Sequence, residues 1–490
     1  MDVTDPVTLV LSLIMCIFIA LFLYGRKTNV YNLPPGPRPL PIIGNLHILD
    51  LKRPYRTLHK LSETYGPVYT IKLGEKKTVV LCGYDAVKDA LVHHADEFSG
   101  RPHVPLLHDL SKGLGVIFSS DENWRVMKRF TISTLRDFRM GKENIENKIL
   151  EELDFLVEEF RSYKGEPFDC TSIMNAATCN IIVSVLLSNR FHYEDRRFLK
   201  ILKIVNEIFE LVGSPMAMLY NAYPSVMRWC SGVQRTLLKN VEEMHAFVQE
   251  TVTIQRKELD VNNPRNLIDS FLVKQLEEKP QLFYTNENLM ALVTDLFAAG
   301  IETILSTLRW GLLLMMKYPE IQRKVQREIE KVIGSAQPQK SHRKEMPYTN
   351  AVLHEIQRFG NVAPNNLKHA TTQDVNFRGY LIPKGMQVIP LLTSVLYDKE
   401  HFVKAEEFYP EHFLDSSGNF VKKDAFMPFS VGKRSCAGES LAKMELFMFF
   451  TRLLQNFTFQ APPGATLDLT PAVGLSCRPL PYKICALPRV

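Results

Sequence analysis

The sequence predicts a mainly α-helical fold with small β-sheets, and three observations lead to this expectation. Apolar residues recur at helical spacing through most of residues 143–260. The same spacing continues over residues 286–317, long enough for a helix of about 48 Å that crosses the whole molecule. Short strand-like runs flank turn residues near positions 68–82 and 377–392, so the sheets should be small beside the helical body.

Composition limits the functional class. The 490 residues are 46% hydrophobic and 23% charged, ordinary proportions for a globular protein. The 59 basic and 53 acidic residues give a formal charge of +6, too small an excess to indicate a nucleic-acid partner. The eight cysteines are scattered, without a Cys-x-x-Cys pair or a His pair at zinc spacing. We therefore expect neither a zinc site nor a disulfide framework, and a folded part that faces a reducing compartment.

The first 25 residues are predicted to be a transmembrane anchor. Residues 7–24 carry no charge and would span about 27 Å as a helix, close to the hydrocarbon thickness of a bilayer. Asp2 and Asp5 precede this run, and Arg26 and Lys27 follow it, an asymmetry that places the amino end in the lumen and the rest in the cytoplasm. A cleaved signal peptide is the alternative, but the basic residues lie on the wrong side for one.

A proline-rich linker is predicted for residues 26–46, ahead of a catalytic domain over residues 47–490. Five prolines fall between positions 34 and 41, which favours a stiff, polyproline-like segment with few backbone donors. Such a segment would hold the domain at a set distance from the membrane. A ligand for an SH3-type partner is the alternative, and it is less expected directly beside an anchor.

The next elements follow from local patterns. An amphipathic segment covers residues 55–65, and strand-like runs on both sides of Gly74 predict a β-hairpin. Residues 101–120 are expected to form a loop with a short helix, and a basic helix should begin at Trp124. Residues 216–229 form an unusually apolar connection, which indicates either a membrane contact or ligand entrance, or burial in the body.

The long helix carries a small-residue segment in its middle. Gly300 costs about 1 kcal/mol of helix stability against alanine, so a reason for it is needed. A packing glycine is one reason, with Thr303 bonded back to the carbonyl of Ala299. Later elements are predicted as helices at 319–333, 348–359 and 439–455 and as strands at 377–382, 386–392 and 482–487.

Residues 429–438, Phe-Ser-Val-Gly-Lys-Arg-Ser-Cys-Ala-Gly, are the clearest sign of chemistry. Gly432 and Gly438 flank Cys436 and remove side-chain bulk where the backbone would approach something large and flat. Arg434 adds a positive charge two residues before the thiol, and a helix-forming segment follows, so thiolate should be favoured over thiol. A buried cysteine in a glycine-containing turn is the alternative.

The spacing Phe429-x-x-Gly432-x-Arg434-x-Cys436-x-Gly438 resembles the haem-thiolate signature of the cytochrome P450 superfamily. In that family the cysteine is the axial ligand of the iron of haem b, and its thiolate favours O–O cleavage. The resemblance extends over essentially the whole chain and implies the cytochrome P450 fold, a helical prism around buried haem. The anchor and hinge resemble microsomal, family-2-type members that metabolise drugs and fatty acids. Phe429 and Gly438 would contact the cofactor.

The resemblance also assigns roles in the long helix. Ala299-Gly300-x-Glu302-Thr303 looks like the oxygen-binding segment of the family. Ala299 and Gly300 would leave a groove for oxygen, Thr303 would relay protons, and Glu302 would assist. Ile304 departs from the common second Thr or Ser, which leaves Thr303 intact.

Two further signatures match in part. Glu355-x-x-Arg358 alone is a surface ion pair, but the family uses this pattern as a buried structural pair near the haem. His412 stands where a third member, an arginine, is typical, so the triad would be weaker here or would work through a histidine hydrogen bond. Trp124-x-x-x-Lys128 matches a propionate-binding pattern except that lysine replaces arginine. The propionate candidates are Trp124, Lys128, Arg101, His369 and Arg434.

Two surfaces are assigned by resemblance and residue character. Acidic electron-transfer partners would dock on Arg125, Arg129, Arg136 and Lys433, for which a solvated charged face is the alternative. Apolar residues predicted to wall the substrate pocket are Ile117, Phe118, Phe297, Ala298, Val362, Leu367, Val473 and Leu475.

The implied function is monooxygenation of a lipophilic substrate with dioxygen. The chain contains no flavin or dinucleotide fingerprint, so electrons would come from NADPH through NADPH-cytochrome P450 reductase, with cytochrome b5 as a further candidate donor. The expected location is the endoplasmic reticulum membrane, with the catalytic domain in the cytoplasm. A haem-thiolate isomerase or dehydratase acting on peroxides and a non-enzymatic haem sensor are the rivals. Fatty acids, steroids and xenobiotics all remain open as substrates.

Overall fold

A computed structural model of the chain describes residues 10, 12, 15, 31–140, 145–230, 232–277 and 282–489. Its secondary structure is mainly helical with small sheets, which confirms the predicted class. The predicted anchor over residues 1–25 lies almost wholly outside the described residues, so the anchor stays a prediction.

The helices occupy most of the predicted positions. Short 3₁₀ turns lie at Leu46–Ile48, Lys340–Glu345, Pro410–Phe413 and Gly432–Arg434, and a π turn at Asp89–His93 continues α2. The α-helices are α1 (Pro54–Tyr65), α2 (Tyr84–Lys88), α3 (Pro105–Ser111), α4 (Asp121–Met140), α5 (Ile145–Ser162), α6 (Thr171–Leu187), α7 (Arg196–Val212), α8 (Pro215–Ala222), α9 (Pro224–Cys230), α10 (Gly232–Lys257), α11 (Leu267–Gln275), α12 (Asn286–Lys317), α13 (Pro319–Val332), α14 (Pro347–Gly360), α15 (Leu392–Leu396) and α16 (Glu439–Asn456).

The sheets are small, as predicted. A four-stranded sheet has the order β1-β2-β6-β3, in which β2 and β6 are parallel and the other two pairings are antiparallel. Two antiparallel pairs, β4 with β5 and β7 with β8, complete the strands of the described residues. The strands are β1 (Val68–Leu73), β2 (Lys76–Leu81), β3 (His369–Ala370), β4 (Val375–Phe377), β5 (Tyr380–Ile382), β6 (Gln387–Pro390), β7 (Phe457–Gln460) and β8 (Cys485–Pro488).

The single strand expected over residues 377–382 is instead a tight hairpin. Phe377 ends β4 and pairs with Tyr380 at the start of β5. Between them Arg378 and Gly379 have φ angles of 51° and 83°, the left-handed backbone that a two-residue hairpin turn requires. The strand-like run therefore covers the end of β4 and all of β5, but its composition did not reveal the reversal between them.

Helix α12 is the central helix of the body. It begins at Asn286, where the Oγ1 of Thr285 accepts a hydrogen bond from the backbone N–H of Asn288, and it ends before Pro319. Its length and composition would let it span a membrane, but most of its residues are buried inside the protein. It packs between α6 on one side and α14 and α16 on the other. Residues along this helix are therefore held against a rigid core.

The described part of the predicted linker packs against the catalytic body. The backbone N–H of Thr70 donates to the carbonyl of Pro35 at 2.7 Å, and a side chain at Gly36 would overlap the backbone of Thr70. The Nδ2 of Asn45 donates to the carbonyl of Arg38, and its Oδ1 accepts from the backbone N–H of Lys72. Residues 31–46 are thus attached to β1 by hydrogen bonds, and their role as a spacer from the membrane stays a prediction.

A buried histidine lies on the predicted helix α14. His354 is 6% exposed, and its Nδ1 lies 2.7 Å from the carbonyl of Asn350. The rings of Phe420 and Phe426 lie 4.5 and 4.6 Å from its own ring. Burial lowers the pKa of His354 to about 3, and nearby cations such as Arg343 add to this, while the hydrogen bond to Asn350 opposes it.

We expect His354 to make the fold sensitive to acid. The folded state keeps this histidine neutral, whereas the unfolded chain takes up a proton below about pH 6.5, so stability falls by about 1.4 kcal/mol per pH unit below that value. In the His354→Phe variant the loss of unfolding free energy between pH 6.5 and pH 4.5 should be smaller by about 2 kcal/mol. Urea titrations at the two pH values measure this. His93→Phe, at an exposed position, is the control, and equal acid sensitivity in both variants would contradict the expectation.

Candidate functional site

The loop before α16 holds Cys436 in a fixed position. The backbone N–H of Cys436 donates to the carbonyl of Phe429 at 3.0 Å. Gly432 has a φ angle of 75°, and a Cβ there would overlap the carbonyl oxygen of Leu91 in the π turn that follows α2. Only glycine satisfies both conditions. The predicted need for small residues in this loop is therefore confirmed at Gly432, although the close neighbour is a protein backbone.

The electrostatics of Cys436 differ in part from the expectation. Its side chain is exposed to open space beside the loop, yet enough protein surrounds the sulfur that burial raises the pKa of the thiol. The backbone N–H groups of Gly438 and Glu439 at the start of α16 lower the pKa, as predicted, and so does Lys128. Burial outweighs them. A metal ion on the sulfur would reverse this balance, because a coordinating thiol is deprotonated.

Arg434 lies beside this loop in a buried position. Its guanidinium stacks over the ring of Trp124 at 3.8 Å, its Nε donates to the carbonyl of Ser99, and its Nη2 donates to the carbonyl of Ser119. The remaining Nη1 is buried and has no hydrogen-bond partner among the described residues. Burial lowers the pKa of Arg434 to about 8, and the charge of Arg101 adds to this. One donor of this cation is therefore free for a ligand.

Arg101 and His369 lie close to Arg434. The Nε of Arg101 donates to the carbonyl of Ile117, and its Nη1 donates to the carbonyl of Lys368 at 2.8 Å. Burial lowers the pKa of Arg101 to about 10. The Nδ1 of His369 lies 2.7 Å from the carbonyl of Phe98, and burial and the neighbouring guanidinium groups lower its pKa to about 3. His369 is therefore neutral near pH 7, although two guanidinium cations lie close to its ring.

Lys128 also lies close to Arg434. The family pattern predicted a propionate contact for it, and the structure shows contacts with backbone carbonyls. Its Nζ donates to the backbone carbonyls of Lys433 and Ser435 and lies 5.7 Å from the ring of Trp124. Burial and the charge of Arg434 lower the pKa of Lys128. Its ammonium therefore supports the cysteine loop directly.

We name Arg101, Lys128 and Arg434 the cationic cluster. None of the three forms an ion pair with a carboxylate among the described residues, although Arg434 is buried and the other two are half-buried. The cluster lies beside Cys436 and includes the unpartnered Nη1 of Arg434. A haem fits this donor set, because its propionates would satisfy the cations and its iron would take the cysteine sulfur.

The small-residue segment of α12 is explained in part by packing. A Cβ at Gly300 would overlap the side chain of Ile182 on α6, and the Oγ1 of Thr303 donates to the carbonyl of Ala299 at 2.7 Å. These contacts confirm the packing interpretation. Ala299, Gly300 and Thr303 are also partly exposed on a helix that is otherwise mostly buried, so the segment borders open space.

Glu302 points away from Thr303 and into the protein. It is 1% exposed, and its Oε1 accepts hydrogen bonds from the Oγ atoms of Ser306 at 3.2 Å and Ser476 at 2.8 Å. Burial raises the pKa of Glu302. Its carboxyl thus ties α12 to the segment around residue 476, a contact that the sequence did not indicate because Ser476 carries no distinguishing pattern.

Glu355 and Arg358 form the predicted buried pair. Two parallel hydrogen bonds of 2.8 and 2.7 Å join the carboxylate to the guanidinium, and both side chains are fully buried. Arg358 also donates to the backbone carbonyls of Leu396, Ala405 and Glu407. The pair therefore fastens α14 to the chain that follows α15.

His412 completes this network through a hydrogen bond. Its Nε2 accepts from the backbone N–H of Lys404, so its Nδ1 carries the proton that it donates to the Oε2 of Glu355 at 3.2 Å. The backbone N–H of Tyr409 donates to the other oxygen of Glu355. Of the two possibilities for this position, the structure shows the histidine hydrogen bond.

One predicted pocket wall is corrected. Phe297 is 0% exposed, and its ring packs 6.5 Å from that of Phe247 in the core between α10 and α12. The neighbouring Ala298 is partly exposed, because successive side chains on a helix point about 100° apart. The other candidates are also partly exposed, as a cavity wall requires: Ile117, Phe118, Val362, Leu367, Val473 and Leu475.

Asp295 is a site residue that sequence reasoning missed. It lies one turn before Ala298, and its Oδ2 accepts hydrogen bonds from the backbone N–H groups of Val116 and Ile117 at 2.7 and 2.9 Å. Burial raises its pKa to about 7. The carboxyl thus holds the loop that carries two predicted pocket walls against α12. An acidic residue within an otherwise apolar stretch of helix was the sequence signal that could have indicated a functional position.

Comparison with known proteins decides the family. Residues 34–486 match the family described as cytochrome P450. The chain belongs to the cytochrome P450 family. Cytochrome P450 2C5 of Oryctolagus cuniculus is 49% identical over 487 residues, which cover 99% of this chain and 100% of that protein. Cytochrome P450 2C39 of Mus musculus is 45% identical over the full length of both chains, and cytochrome P450 2K1 of Oncorhynchus mykiss is 47% identical over 93% of this chain and 92% of its own.

These matches confirm the family and the enzyme class that the sequence predicted. This cytochrome P450 is a monooxygenase of lipophilic substrates, and the rival interpretations as an isomerase or a haem sensor are not favoured. The family implies a haem cofactor, which agrees with the cysteine and the unpaired cations of the site.

Proposed function

We propose that this cytochrome P450 hydroxylates or epoxidises fatty acids, steroids or xenobiotics with electrons that reach its haem from NADPH through NADPH-cytochrome P450 reductase. The observation that carries the proposal is the free Nη1 of buried Arg434 beside Cys436, since a buried cation with an unused donor favours an anionic ligand. When bound, the haem supplies the activation of dioxygen.

Five side chains would hold the haem. Cys436 would bind the iron, and its loop is supported by Lys128. Arg101 and Arg434 would take the propionates, because Arg434 is buried, Arg101 is half-buried, and both lack a carboxylate partner among the described residues. Trp124 stacks on Arg434 and fixes its orientation. The contact of Phe429 and Gly438 with the cofactor remains an expectation.

We assign proton transfer to Thr303. Its hydroxyl proton is held on the carbonyl of Ala299, and its side chain borders open space, so a rotation about χ1 would redirect the proton. Glu302 has a raised pKa and can hold a proton behind the helix, on the side of Ser476. We assign Ala299 and Gly300 to the oxygen groove.

The reductase, or cytochrome b5, would dock on the exposed face of α4. Arg129 is exposed and forms no ion pair among the described residues. Three other candidate docking residues already pair with a carboxylate. These pairs weaken the positive electrostatic potential that an acidic partner would meet. Those pairs are Arg125 with Glu122, Arg136 with Asp137, and Lys433 with Asp96.

We place the chain on the endoplasmic reticulum membrane, with residues 1–25 as the anchor and the catalytic domain in the cytoplasm. Exposed apolar side chains support a second contact with the bilayer. Met216 is 42% exposed, Val226 62% and Trp229 86%, and Ile42 lies on the same side of the body because its carbonyl accepts a hydrogen bond from Tyr223. Such a patch is typical of an interfacial segment.

Reconstitution with the reductase tests the proposal. In vesicles that contain both proteins, NADPH consumption should rise when a lipophilic substrate is added, and an oxygenated product should appear. Turnover of an organic peroxide without reductase or NADPH would indicate an isomerase or dehydratase instead. Haem binding without turnover across a panel of fatty acids, steroids and xenobiotics would indicate a sensor.

The same assay tests the proton relay. Thr303→Ala removes the hydroxyl and should lower the product formed per NADPH about a hundredfold, the lower end of the usual contribution of general acid–base catalysis. Hydrogen peroxide should account for the lost electrons. Thr303→Ser keeps the hydroxyl and should restore most of the product.

Thr307→Ala is the matched control for this variant. Thr307 lies one turn along α12 and its Oγ1 donates to the carbonyl of Thr303, so the change also removes a helix-bonded hydroxyl. It should leave the product per NADPH unchanged. If Thr303→Ala behaves like Thr307→Ala, Thr303 has no part in proton transfer.

A further inference from the structure

Lys368 carries an ammonium group for which the described part of the protein supplies no partner. Its side chain is half-buried, and its Nζ forms no hydrogen bond and no ion pair among the described residues. Burial lowers the pKa of Lys368 to about 8, and the charge of Lys76 adds to this. A cation that is withdrawn from water is usually paired. Lys368 is therefore a candidate for binding an anionic ligand.

The side chain of Lys368 lies on one face of the four-stranded sheet. Strand β3 begins at the next residue, and within it Ala370 pairs with Gln387 of β6. Because side chains alternate along a strand, Lys368 shares the face of Ala370 and Gln387. Thr78 of β2 lies on this face too, since its Oγ1 is 3.5 Å from the Oε1 of Gln387. By the same alternation this face also carries Lys76, which agrees with its effect on Lys368.

Helix α8 and the segment before α3 cover this face of the sheet. Met218 of α8 packs against a cluster of buried residues that includes Val80 and Ile389, the next residues of β2 and β6 on the same face. The Nζ of Lys76 donates to the carbonyl of His103 at 3.2 Å, which joins the start of β2 to the segment before α3. The sheet, α8 and this segment thus bound the space into which Lys368 projects.

The backbone of Lys368 belongs to the wall of the predicted substrate pocket. The Nη1 of Arg101 donates to the carbonyl of Leu367 at 3.2 Å and to that of Lys368 at 2.8 Å. Leu367 is a predicted pocket wall and is partly exposed. The Nε of Arg101 donates to the carbonyl of Ile117, another predicted pocket wall. An apolar side chain and an unpaired ammonium therefore stand next to each other at this wall.

The charges around Lys368 favour an anion. Among the described residues, Lys76 is the one charged group that shifts the pKa of Lys368, and it lowers that pKa. Glu75, the carboxylate next to Lys76 in the chain, is exposed and raises the pKa of Tyr223. A carboxylate that reaches Lys368 would thus meet two ammonium groups.

We propose that Lys368 is a specificity-determining residue, which binds the carboxylate of lipophilic acid substrates. This inference rests on the proposed function and narrows its substrate class. The hydrocarbon chain of the acid lies along Leu367 in the substrate pocket, and its carboxylate accepts a charge-assisted hydrogen bond from the Nζ of Lys368. A neutral compound of the same shape makes the apolar contact alone.

Decanoate and decanamide are matched probes, because they share one hydrocarbon chain and differ in the charge of the head group. Calorimetry on the haem-loaded full chain in phosphatidylcholine vesicles measures the binding of each without turnover. Lys368→Met removes the ammonium and keeps an unbranched side chain. This variant should bind decanoate about tenfold more weakly than the wild type does, as expected for loss of a hydrogen bond to a charged group. Decanamide should bind equally well to both proteins.

Two further variants separate the charge of Lys368 from other effects. Lys368→Arg keeps a cation at this position and should bind decanoate within about threefold of the wild type. Lys384→Met is the matched control, because Lys384 is exposed in the turn before β6 and its replacement also removes one positive charge. It should bind decanoate as the wild type does.

Two results would overturn the proposal. Equal binding of decanoate by the wild type and Lys368→Met would remove Lys368 from the site. An equal loss of decanoate and decanamide binding in Lys368→Met would show that Lys368 shapes the pocket and does not recognise charge. Absence of oxygenation with reductase and NADPH across the substrate panel would overturn the proposed function instead, and calorimetry would still decide whether Lys368 binds the carboxylate.

Discussion

Replacement of Cys436 by serine is expected to abolish the thiolate-type absorption spectrum of the reduced, carbon monoxide-bound protein. The hydroxyl of serine stays protonated where a thiol gives a thiolate on iron, so the sulfur charge that shapes this spectrum is lost. Monooxygenation should fall to background at the same time. The measurement is the difference spectrum of the reduced protein with and without carbon monoxide, normalised to haem content.

Cys485→Ser is the control for this change. Cys485 is also a free cysteine, but it lies on β8, where it pairs with Gln460. The control should keep both the spectrum and the activity. Retention of the thiolate-type spectrum in Cys436→Ser would remove Cys436 as the iron ligand and with it the assignment of the haem side.

Arg358→Ala is expected to cause the largest loss of stability. The change leaves the buried carboxylate of Glu355 without its cation and three backbone carbonyls without a donor. Breaking a buried pair by removing one partner costs about 3–5 kcal/mol. We expect a lower urea midpoint, and haem content should fall with it because the pair fastens α14 to the chain that follows α15.

Two further variants separate this effect from the loss of a charge. Arg378→Ala removes a cation from a partly exposed pair with Asp89, and should cost no more than about 1 kcal/mol. Arg358→Lys keeps the charge but not the fork of donors, so it should fall between the two. If Arg358→Ala and Arg378→Ala lose the same amount, the buried network contributes no special stability.

The features that the sequence predicted well depend on local chemistry. Helix α12 could be predicted because apolar residues recur at helical spacing all the way from the capping residue Thr285 to Pro319. The cysteine loop could be predicted because its backbone requires a glycine at Gly432, where φ is positive, and because Arg434 supplies a charge close to the cysteine in the chain. In each case the residues that carry the signal are close together in the chain.

The features that the sequence did not predict depend on contacts between distant segments. Asp295 meets the loop at residues 116 and 117 from 179 and 178 positions away, and no periodic pattern records such a contact. Phe297 was misassigned because an apolar residue on a helix is equally suited to a core and to a cavity wall. The docking of residues 31–46 on β1 was missed because proline content describes the stiffness of a segment and not its neighbours.

The loop at residues 115–120 has a consequence for how the enzyme matures. Arg101 holds the carbonyl of Ile117, Arg434 holds the carbonyl of Ser119, and Asp295 holds the loop from the other side. The guanidinium groups that would seat the cofactor thus also shape the chamber for the substrate. We therefore expect haem loading and formation of the substrate chamber to be linked during maturation, because the same two arginines serve both.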